Sequence, residues 1–268
     1  MKEKRGKNVS TNRPEPKSIL ITGATGGIGG ELAKRYARPG RTLILWGRDE
    51  EKLRKISAVC GGRGAKIISR QIDLAKGQDA LSAFYEDDAI AQCDMVILGA
   101  GLSDIKTPKD LTEDPQKVLQ LALVNYTAPV TLATAAARRM IPRKGGRVVL
   151  IGSVSAYYEL PFSAAYSSSK AGLASFASAA RLGWEEEGIK VIHIAPGFVD
   201  TQMSQRLKGS LPFLVSVENA AKRIMKAIHH NEEECIFPWQ FRILRVAERL
   251  VPQFLRKRIL KSIRADQE

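Results

Sequence analysis

Short apolar runs alternate with longer segments that have apolar positions at helical spacing. The predicted strands are 18–22, 41–46, 65–74, 94–98, 147–151 and 190–195, with Cys235–Phe237 as an edge strand. One predicted helix begins near Asp49. Further predicted helices cover about 77–91, 115–140, 164–187 and 217–230. Regular alternation with short connections predicts an α/β domain over 18–238, in which helices cover both faces of a doubly wound parallel sheet in three αβα layers.

Polar and glycine-rich positions recur where these strands end. They are the turn after Thr22, Asp73, Gly99–Gly101, Ser153 and Pro196-Gly197. Open parallel sheets of the Rossmann type bind ligands at the carboxyl ends of their strands. We therefore expect these positions to form one cleft.

The first of these positions is a turn that contains Gly23, Gly26, Gly27 and Gly29 and leads into a helix. Such a turn lets backbone N–H groups and a helix N-terminus approach a pyrophosphate. The alternative is a glycine turn that serves tight packing alone. The strand–turn–helix context favours a nucleotide site.

The residues after the second strand bear on the choice of dinucleotide. An acidic residue there would bind the ribose 2′-hydroxyl of NAD, whereas an arginine would pair with the 2′-phosphate of NADP. Gly47 carries no charge and Arg48 follows it, so NADP is favoured over NAD. In the alternative, Asp49 caps the next helix and Arg48 faces solvent, or Asp49 itself serves as the ribose partner.

Tyr166 and Lys170 stand four residues apart in a predicted helix and so share a face. A free tyrosine has a pKa of about 10, and a nearby ammonium lowers that pKa. A tyrosine tuned in this way can act as a general acid or base on a carbonyl or alcohol. Taken alone, the pair also fits a surface tyrosine with a lysine neighbour.

Together these segments resemble the short-chain dehydrogenase/reductase family, over roughly 17–238. Ser153 stands thirteen residues before Tyr166, Asn125 matches the family's helix asparagine, and 196–201 matches its P-G-x-x-x-T segment. The glycine turn fits both T-G-x-x-x-G-x-G of the short branch and T-G-x-x-G-x-x-G of the extended branch. Chain length and the serine–tyrosine spacing favour the short branch.

The resemblance implies reversible hydride transfer between a nicotinamide and a carbonyl/alcohol pair. In it Tyr166 is the acid/base, Ser153 binds the substrate oxygen, Lys170 holds the nicotinamide ribose and lowers the tyrosine pKa, and Asn125 serves a proton relay. The implied cofactor contacts are Thr22, Gly23, Thr25, Gly26, Gly27, Ile28, Gly29, Arg48, Asp73, Leu74, Gly99, Ala100, Gly101, Tyr166, Lys170, Pro196, Gly197, Val199 and Thr201. One departure is the run Leu98-Gly99-Ala100-Gly101, where the family usually shows N-N-A-G with an asparagine that braces the sheet.

The substrate is expected to be a small carbonyl or alcohol compound. Residues 202–217 occupy the place of the family's substrate lid, and Leu211–Val215 together with the aromatic stretch 157–162 predicts a partly apolar pocket. Ordinary packing of the lid on the body is the alternative. Family analogy implies a dimer or tetramer. The alternative function is a regulatory protein that binds the nucleotide without turnover.

Charge is concentrated at the two ends of the chain, whose formal net charge is +14. Residues 1–17 carry six Lys/Arg and two Glu and are interpreted as a flexible basic leader. No apolar run reaches the ~18 residues of a membrane span. Three widely spaced cysteines indicate a reducing, cytoplasmic setting, and the histidines lack the spacing of metal ligands, so no metal is expected. No motif indicates nucleic-acid binding.

Residues 239–268 form a basic tail that Pro252 divides into two helical stretches. Apolar and basic positions lie on opposite sides of the second stretch. Such a helix can lie on an anionic membrane, as a peripheral contact at its inner face. It can also pack on its own domain or on another subunit.

Overall fold

The computed structural model describes residues 15–106, 110–208, 211–248 and 266–267. The strands are β1 Ser18–Thr22, β2 Thr42–Gly47, β3 Lys66–Gln71, β4 Met95–Leu98, β5 Gly146–Ile151, β6 Ile189–Pro196, β7 Leu207–Lys208, β8 Glu234–Phe237 and β9 Asp266–Gln267. The helices are α1 Gly27–Tyr36, α2 Glu50–Gly62, α3 Gly77–Ala91, α4 Pro115–Ala122, α5 Ala128–Met140, α6 Ala164–Trp184, α7 Val217–His230 and α8 Trp239–Glu248. Most of the basic leader and the predicted helix after Pro252 lie outside the described residues.

Seven of the strands form one parallel sheet in the order β3-β2-β1-β4-β5-β6-β8. All five residues of β1 are buried, as the apolar run predicts. Successive side chains of a strand point to opposite faces, so Ile19 and Ile21 pack with α1, α2 and α7, whereas Leu20 packs with α3, α5 and α6. The predicted doubly wound, three-layer fold is confirmed, and β8 is the predicted edge strand.

Local sequence signals explain where several helices begin. Asp49 caps α2 by accepting a hydrogen bond from the N–H of Lys52, and Asp114 caps α4 with Pro115 in the first turn. Ser216 caps α7 in the same way. The end of α6 differs from the prediction, since the helix stops at Trp184 and not near residue 187.

The long helix predicted over 115–140 is interrupted. A π-helical turn, Leu123–Thr127, separates α4 from α5. The helical segment Pro115–Arg143 is nevertheless long and apolar enough to cross a membrane by length and composition, so the sequence argument against any such segment was too strict. Ala133 and Ala136 of this segment are fully buried in the core beneath the sheet, which is the position of an ordinary core helix.

Candidate active site

The predicted site positions meet at the carboxyl edge of the sheet. Thr22 ends β1, Asp73 and Leu74 follow β3, the segment Gly99–Gly101 follows β4, and Pro196 ends β6. The Thr22 hydroxyl accepts hydrogen bonds from the N–H groups of Gly99 (3.1 Å) and Ala100 (3.2 Å). Thr22 therefore braces the end of β4, at the segment where Leu98-Gly99-Ala100-Gly101 stands in place of the family's N-N-A-G.

The glycine turn is packed too tightly to hold side chains. A Cβ at Gly29 would collide with the carbonyl oxygen of Gly23, which itself has φ of +71°. A Cβ at Gly27 would lie 2.6 Å from the Thr201 Cγ2, whereas one at Gly26 would lie 3.3 Å from the nearest atom. A side chain therefore has less room at position 27 than at position 26. The short-branch motif, which requires glycine at 27, agrees with this difference. The turn is a backbone cradle at the N-terminus of α1 and suits a pyrophosphate.

Several predicted cofactor contacts lie in the core. The side chains of Leu74 and Val199 are buried, and Ile28 packs partly into the core, so contact at these positions would use the backbone. Thr25 is placed differently, because its side chain packs directly against Gly47 at the end of β2. It thereby reaches the strand end that leads to Arg48.

Arg48 is exposed at the rim of an open cleft of about 630 Å³ beside the ends of β2 and β3. Asp73 and Lys76 also line this cleft. Asp49 is occupied as the cap of α2, and this helix-capping hydrogen bond lowers the pKa of its carboxyl group. Asp49 therefore has the helix-capping role, and the capping bond uses its Oδ1 atom. Sequence reasoning missed two further cations in the cleft. One is Arg70, which pairs with Glu86 and Asp87, and the other is Lys76, a basic residue directly before the N-terminus of α3.

Tyr166 lies in the first turn of α6, beside the loop that begins with Ser153. Burial raises the pKa of Tyr166, while the hydroxyls of Ser153 and Ser155 act in the opposite direction. The phenol is therefore a protonated donor near neutral pH. This differs from the expectation of a tyrosine whose pKa is lowered by Lys170.

Lys170 lies one turn further along α6 and is 5% exposed. Its Nζ donates to the carbonyl oxygen of Ile151 at 3.2 Å and lies 5.8 Å from the centroid of the Tyr166 ring. Burial lowers the pKa of Lys170 to about 8. The ammonium is thus directed to the end of β5, and its own proton is easily lost.

Asn125 lies in the π-helical turn and is fully buried. Its side chain accepts from the N–H of Leu102 (2.8 Å) and donates to the carbonyl of Leu102 (2.9 Å), which ties it to the loop after β4. Pro129 stands four residues later and has no N–H, so the Asn125 carbonyl lacks the donor that a continuous α-helix would supply. π-Turns inside α-helices are frequent at functional sites.

Gly101 brings the asparagine and the lysine together. A Cβ at this glycine would lie 3.3 Å from the Asn125 Oδ1 and 3.5 Å from the Lys170 Nζ. Asn125 also donates to the Ser169 hydroxyl at 3.3 Å. The structure thus gathers three predicted catalytic residues, Asn125, Tyr166 and Lys170, around the ends of β4 and β5, where Ser153 also lies.

Comparison with known proteins decides the family. The family model described as short chain dehydrogenase matches residues 17–211. The chain belongs to the short-chain dehydrogenase family. Membership makes this protein an oxidoreductase with a fold that was expected from the sequence.

Relatives extend the match over different shares of their length. The chain is 29% identical over 228 residues to an uncharacterized oxidoreductase of Myxococcus xanthus, a match that covers 85% of this chain and 89% of the relative. It is 35% identical to dehydrogenase/reductase SDR family member 7B of Mus musculus, over 69% of this chain but only 58% of the mouse protein. A short-chain dehydrogenase from Sphingobium yanoikuyae, solved in complex with NADPH, shares the fold with a TM-score of 0.76 and 24% identity over 92% of this chain and 96% of that one.

Residues beyond the family match pack against the segment that was predicted to cover the substrate. Phe213 of the predicted lid has φ of +58°, an unusual conformation for a bulky residue. Its ring packs edge-on against that of Phe241 in α8, with the two ring centroids 5.8 Å apart. Phe241 in turn lies on Gly197, where a Cβ would come within 2.5 Å of the ring. The Phe241 side chain therefore links the lid to the cofactor segment.

Tyr157, predicted to line an apolar pocket, is instead fixed to the edge of the sheet. Its hydroxyl donates to Glu234 at 2.6 Å, and the Arg245 guanidinium lies 3.9 Å from the centroid of its ring. Arg245 also forms an ion pair with Glu234. One face of α8 thus contacts the loop after Ser153 through Arg245 and the cofactor segment through Phe241.

Proposed function

We propose that this protein catalyses reversible hydride transfer between NADP(H) and the carbonyl or alcohol group of a small, partly apolar molecule. The observation that carries the proposal is the convergence of Asn125, Ser153, Tyr166 and Lys170 beside the glycine cradle at one edge of the sheet. When bound, the nicotinamide supplies or accepts the hydride. The protein positions the reactants and handles the proton.

The proposed roles follow from the surroundings of each side chain. In the direction of reduction, the protonated Tyr166 hydroxyl donates its proton to the carbonyl oxygen that receives negative charge. Ser153 holds the same oxygen by a hydrogen bond. The Lys170 ammonium, near Asn125 and the carbonyl end of β5, restores the proton to the tyrosine through the relay that these groups border.

NADP is proposed over NAD because three cations, Arg48, Arg70 and Lys76, line the cleft beside β2. Arg70 forms ion pairs with Glu86 and Asp87, so the proposal rests on Arg48 and Lys76. Guanidinium and ammonium groups suit a 2′-phosphate, whereas NAD needs an available carboxylate at the end of β2. Asp49 is engaged as a helix cap. The relative bound to NADPH is compatible with this choice, but it shares only the fold. The cytoplasmic setting and the homo-oligomer remain predictions.

The experiment is a screen of aldehydes and ketones of graded size with NADPH, in which oxidation is followed by absorbance. We expect turnover that falls by about 10²–10⁴-fold in Tyr166→Phe, because general acid–base catalysis contributes that much. NADPH binding, followed by fluorescence, should change little. Tyr85→Phe, at an exposed position on α3, is the matched control.

The same screen tests the alternative, a regulatory protein that binds the dinucleotide without turnover. Cofactor binding with no Tyr166-dependent turnover across the whole panel would favour that alternative. The retained tyrosine–lysine pair supports the enzyme, because a pure binding protein needs neither proton donor.

A further inference from the structure

An exposed apolar surface lies where the lid meets α8. We call it the α8–lid patch and define it by Phe213, Leu214, Trp239, Ile243 and Leu244, which are all between 46% and 58% exposed. The two segments touch, because the Phe213 ring packs on Phe241 of α8. The patch therefore combines exposed apolar residues of two segments that are in contact, and large apolar residues exposed in this way mark an interaction site.

The helix α8 has two distinct faces. Phe241 and Arg245, four residues apart, are turned to the protein and hold the helix against Gly197 and Tyr157. Trp239 and Ile243 are also four residues apart and share the opposite, exposed face. The inner contacts fix the helix, so the outer face is presented in a constant orientation.

The charge around the patch selects its partner. Arg242 is exposed on the same side of α8, and Arg206 is exposed in the lid. Residues 239–268 contain eight Lys/Arg and three Asp/Glu, of which Arg242, Arg245 and Glu248 belong to the described helix α8. A second copy of the chain, or its own basic tail, would bring like charges together on this face. An anionic lipid surface supplies both hydrocarbon for the apolar side chains and phosphate groups for the cations.

We propose that the α8–lid patch docks on the surface of an anionic membrane. The geometry fits a helix lying in the interface, because the ten residues of α8 span about 15 Å and a bilayer core is about 30 Å thick. Trp239 is the type of side chain enriched at membrane–water interfaces, where its ring is apolar and its N–H meets polar groups. The proposal does not depend on the reaction, and binding alone tests it.

The test is vesicle flotation of the full chain with phosphatidylcholine alone and with phosphatidylcholine containing phosphatidylglycerol, at about 0.1 M and about 0.5 M salt. We expect binding to the anionic vesicles at low salt, weaker binding at high salt, and little binding to neutral vesicles. The double variant Trp239→Ser/Ile243→Ser should bind at least roughly tenfold more weakly. Val59→Ser/Ile90→Ser, at exposed apolar positions on α2 and α3, is the matched control and should bind like the wild type.

Circular dichroism and a thermal midpoint establish that each variant is folded. The proposal is overturned if the wild type fails to float with anionic vesicles at low salt, or if both double variants float equally well. A third variant, Arg256→Gln/Lys257→Gln/Arg258→Gln, separates the patch from the tail. Loss of binding in this variant while Trp239→Ser/Ile243→Ser still binds would assign the membrane contact to the tail and overturn the proposal. Light scattering that shows a change in subunit number in Trp239→Ser/Ile243→Ser, without vesicle binding by the wild type, would identify a second copy as the occupant.

Discussion

The Lys170 Nζ lies 5.8 Å from the centroid of the Tyr166 ring and donates a hydrogen bond to the carbonyl oxygen of Ile151. The lysine and the tyrosine are therefore neighbours on α6 without a direct bond between them. Burial acts on both and moves their pKa values apart, raising that of the phenol and lowering that of the ammonium to about 8. A buried cation of this kind lowers the free energy of unfolding.

Lys170→Met should therefore separate activity from stability. We expect turnover to fall by about 10²-fold or more, while the free energy of unfolding at pH 7 stays equal or rises. In the wild type the folded lysine releases its proton at about pH 8 but the unfolded one only near 10.5. The unfolded chain binds more protons in this window, so wild-type stability contains an increment that grows between pH 8 and 10.5 and is absent from the variant.

Denaturant unfolding at pH 7 and pH 9.5 measures this difference. Lys55→Met, at an exposed position on α2, is the control and should show no such change in pH dependence. A Lys170→Met variant that is several kcal/mol less stable at pH 7 would contradict the account of a costly buried charge.

Two of the cations that line the cleft, Arg48 and Lys76, should set cofactor choice. Arg48→Ala and Lys76→Ala should each weaken NADPH binding by about 10-fold, because one charge-assisted contact to phosphate is removed. NADH binding should stay the same, since NADH lacks the 2′-phosphate. Arg54→Ala, an exposed arginine on α2, serves as the control. Equal weakening of both dinucleotides in Arg48→Ala would argue against the 2′-phosphate assignment.

Gly197 and Phe241 should be energetically coupled. A methyl group at position 197 would lie 2.5 Å from the Phe241 ring, so Gly197→Ala should displace α8 and destabilise the protein. Phe241→Ala removes the obstacle, and the double variant should lose less stability than the sum of the single variants, by about 1–3 kcal/mol. Unfolding free energies of the four proteins measure the coupling. Additive losses would mean that the ring does not restrain the cofactor segment.

Glu234 should contribute to stability in a pH-dependent way. The buried His193, followed by Tyr157 and Arg245, lowers the pKa of Glu234 to about 2. For a lowered carboxyl pKa, the stabilisation is complete above about pH 4.5 and is lost as the pH falls towards 2. Glu234→Gln should therefore lower the unfolding free energy at pH 6 by about 1 kcal/mol, since the group is partly solvated.

A pair of unfolding series, wild type and Glu234→Gln, checks this from pH 6 down to pH 3. The difference between the two proteins should shrink as the solution becomes more acidic. Glu232→Gln, an exposed neighbour, should show a smaller effect throughout. A constant difference would assign the loss to packing instead of charge.

The sheet and its catalytic edge were predictable because each strand is a short apolar run and each polar feature follows one directly. Ser18–Thr22 needs no partner to be recognised as a buried strand, and Tyr166 and Lys170 need only helical spacing to share a face. These are local properties of the sequence. The meeting of the strand ends at one edge then follows from the rules of parallel sheets.

The rest depends on contacts between distant segments. The π turn at Asn125 differs from an α-helix only in hydrogen-bond register. The presence of Pro129 in the sequence does not by itself predict such a turn. The engagement of Tyr157 with Glu234 and Arg245 joins residues 77 and 88 positions away along the chain. The pKa of Tyr166 depends on burial, which spacing to Lys170 does not reveal. Phe241 lies beyond the family match and has no motif.

The π turn also has a rotational consequence. Its hydrogen bonds run from residue i to i−5, so the helix carries one residue more than an α-helix of the same rise. One residue corresponds to about 100° of rotation. The extra residue therefore rotates α5 relative to α4. One side of α4 packs on α6, and a differently oriented side of α5 packs on the sheet. Asn125 lies in the turn where this rotation occurs. A single deletion within 123–127 would remove the extra residue and turn the two halves of the helix out of step with their separate neighbours.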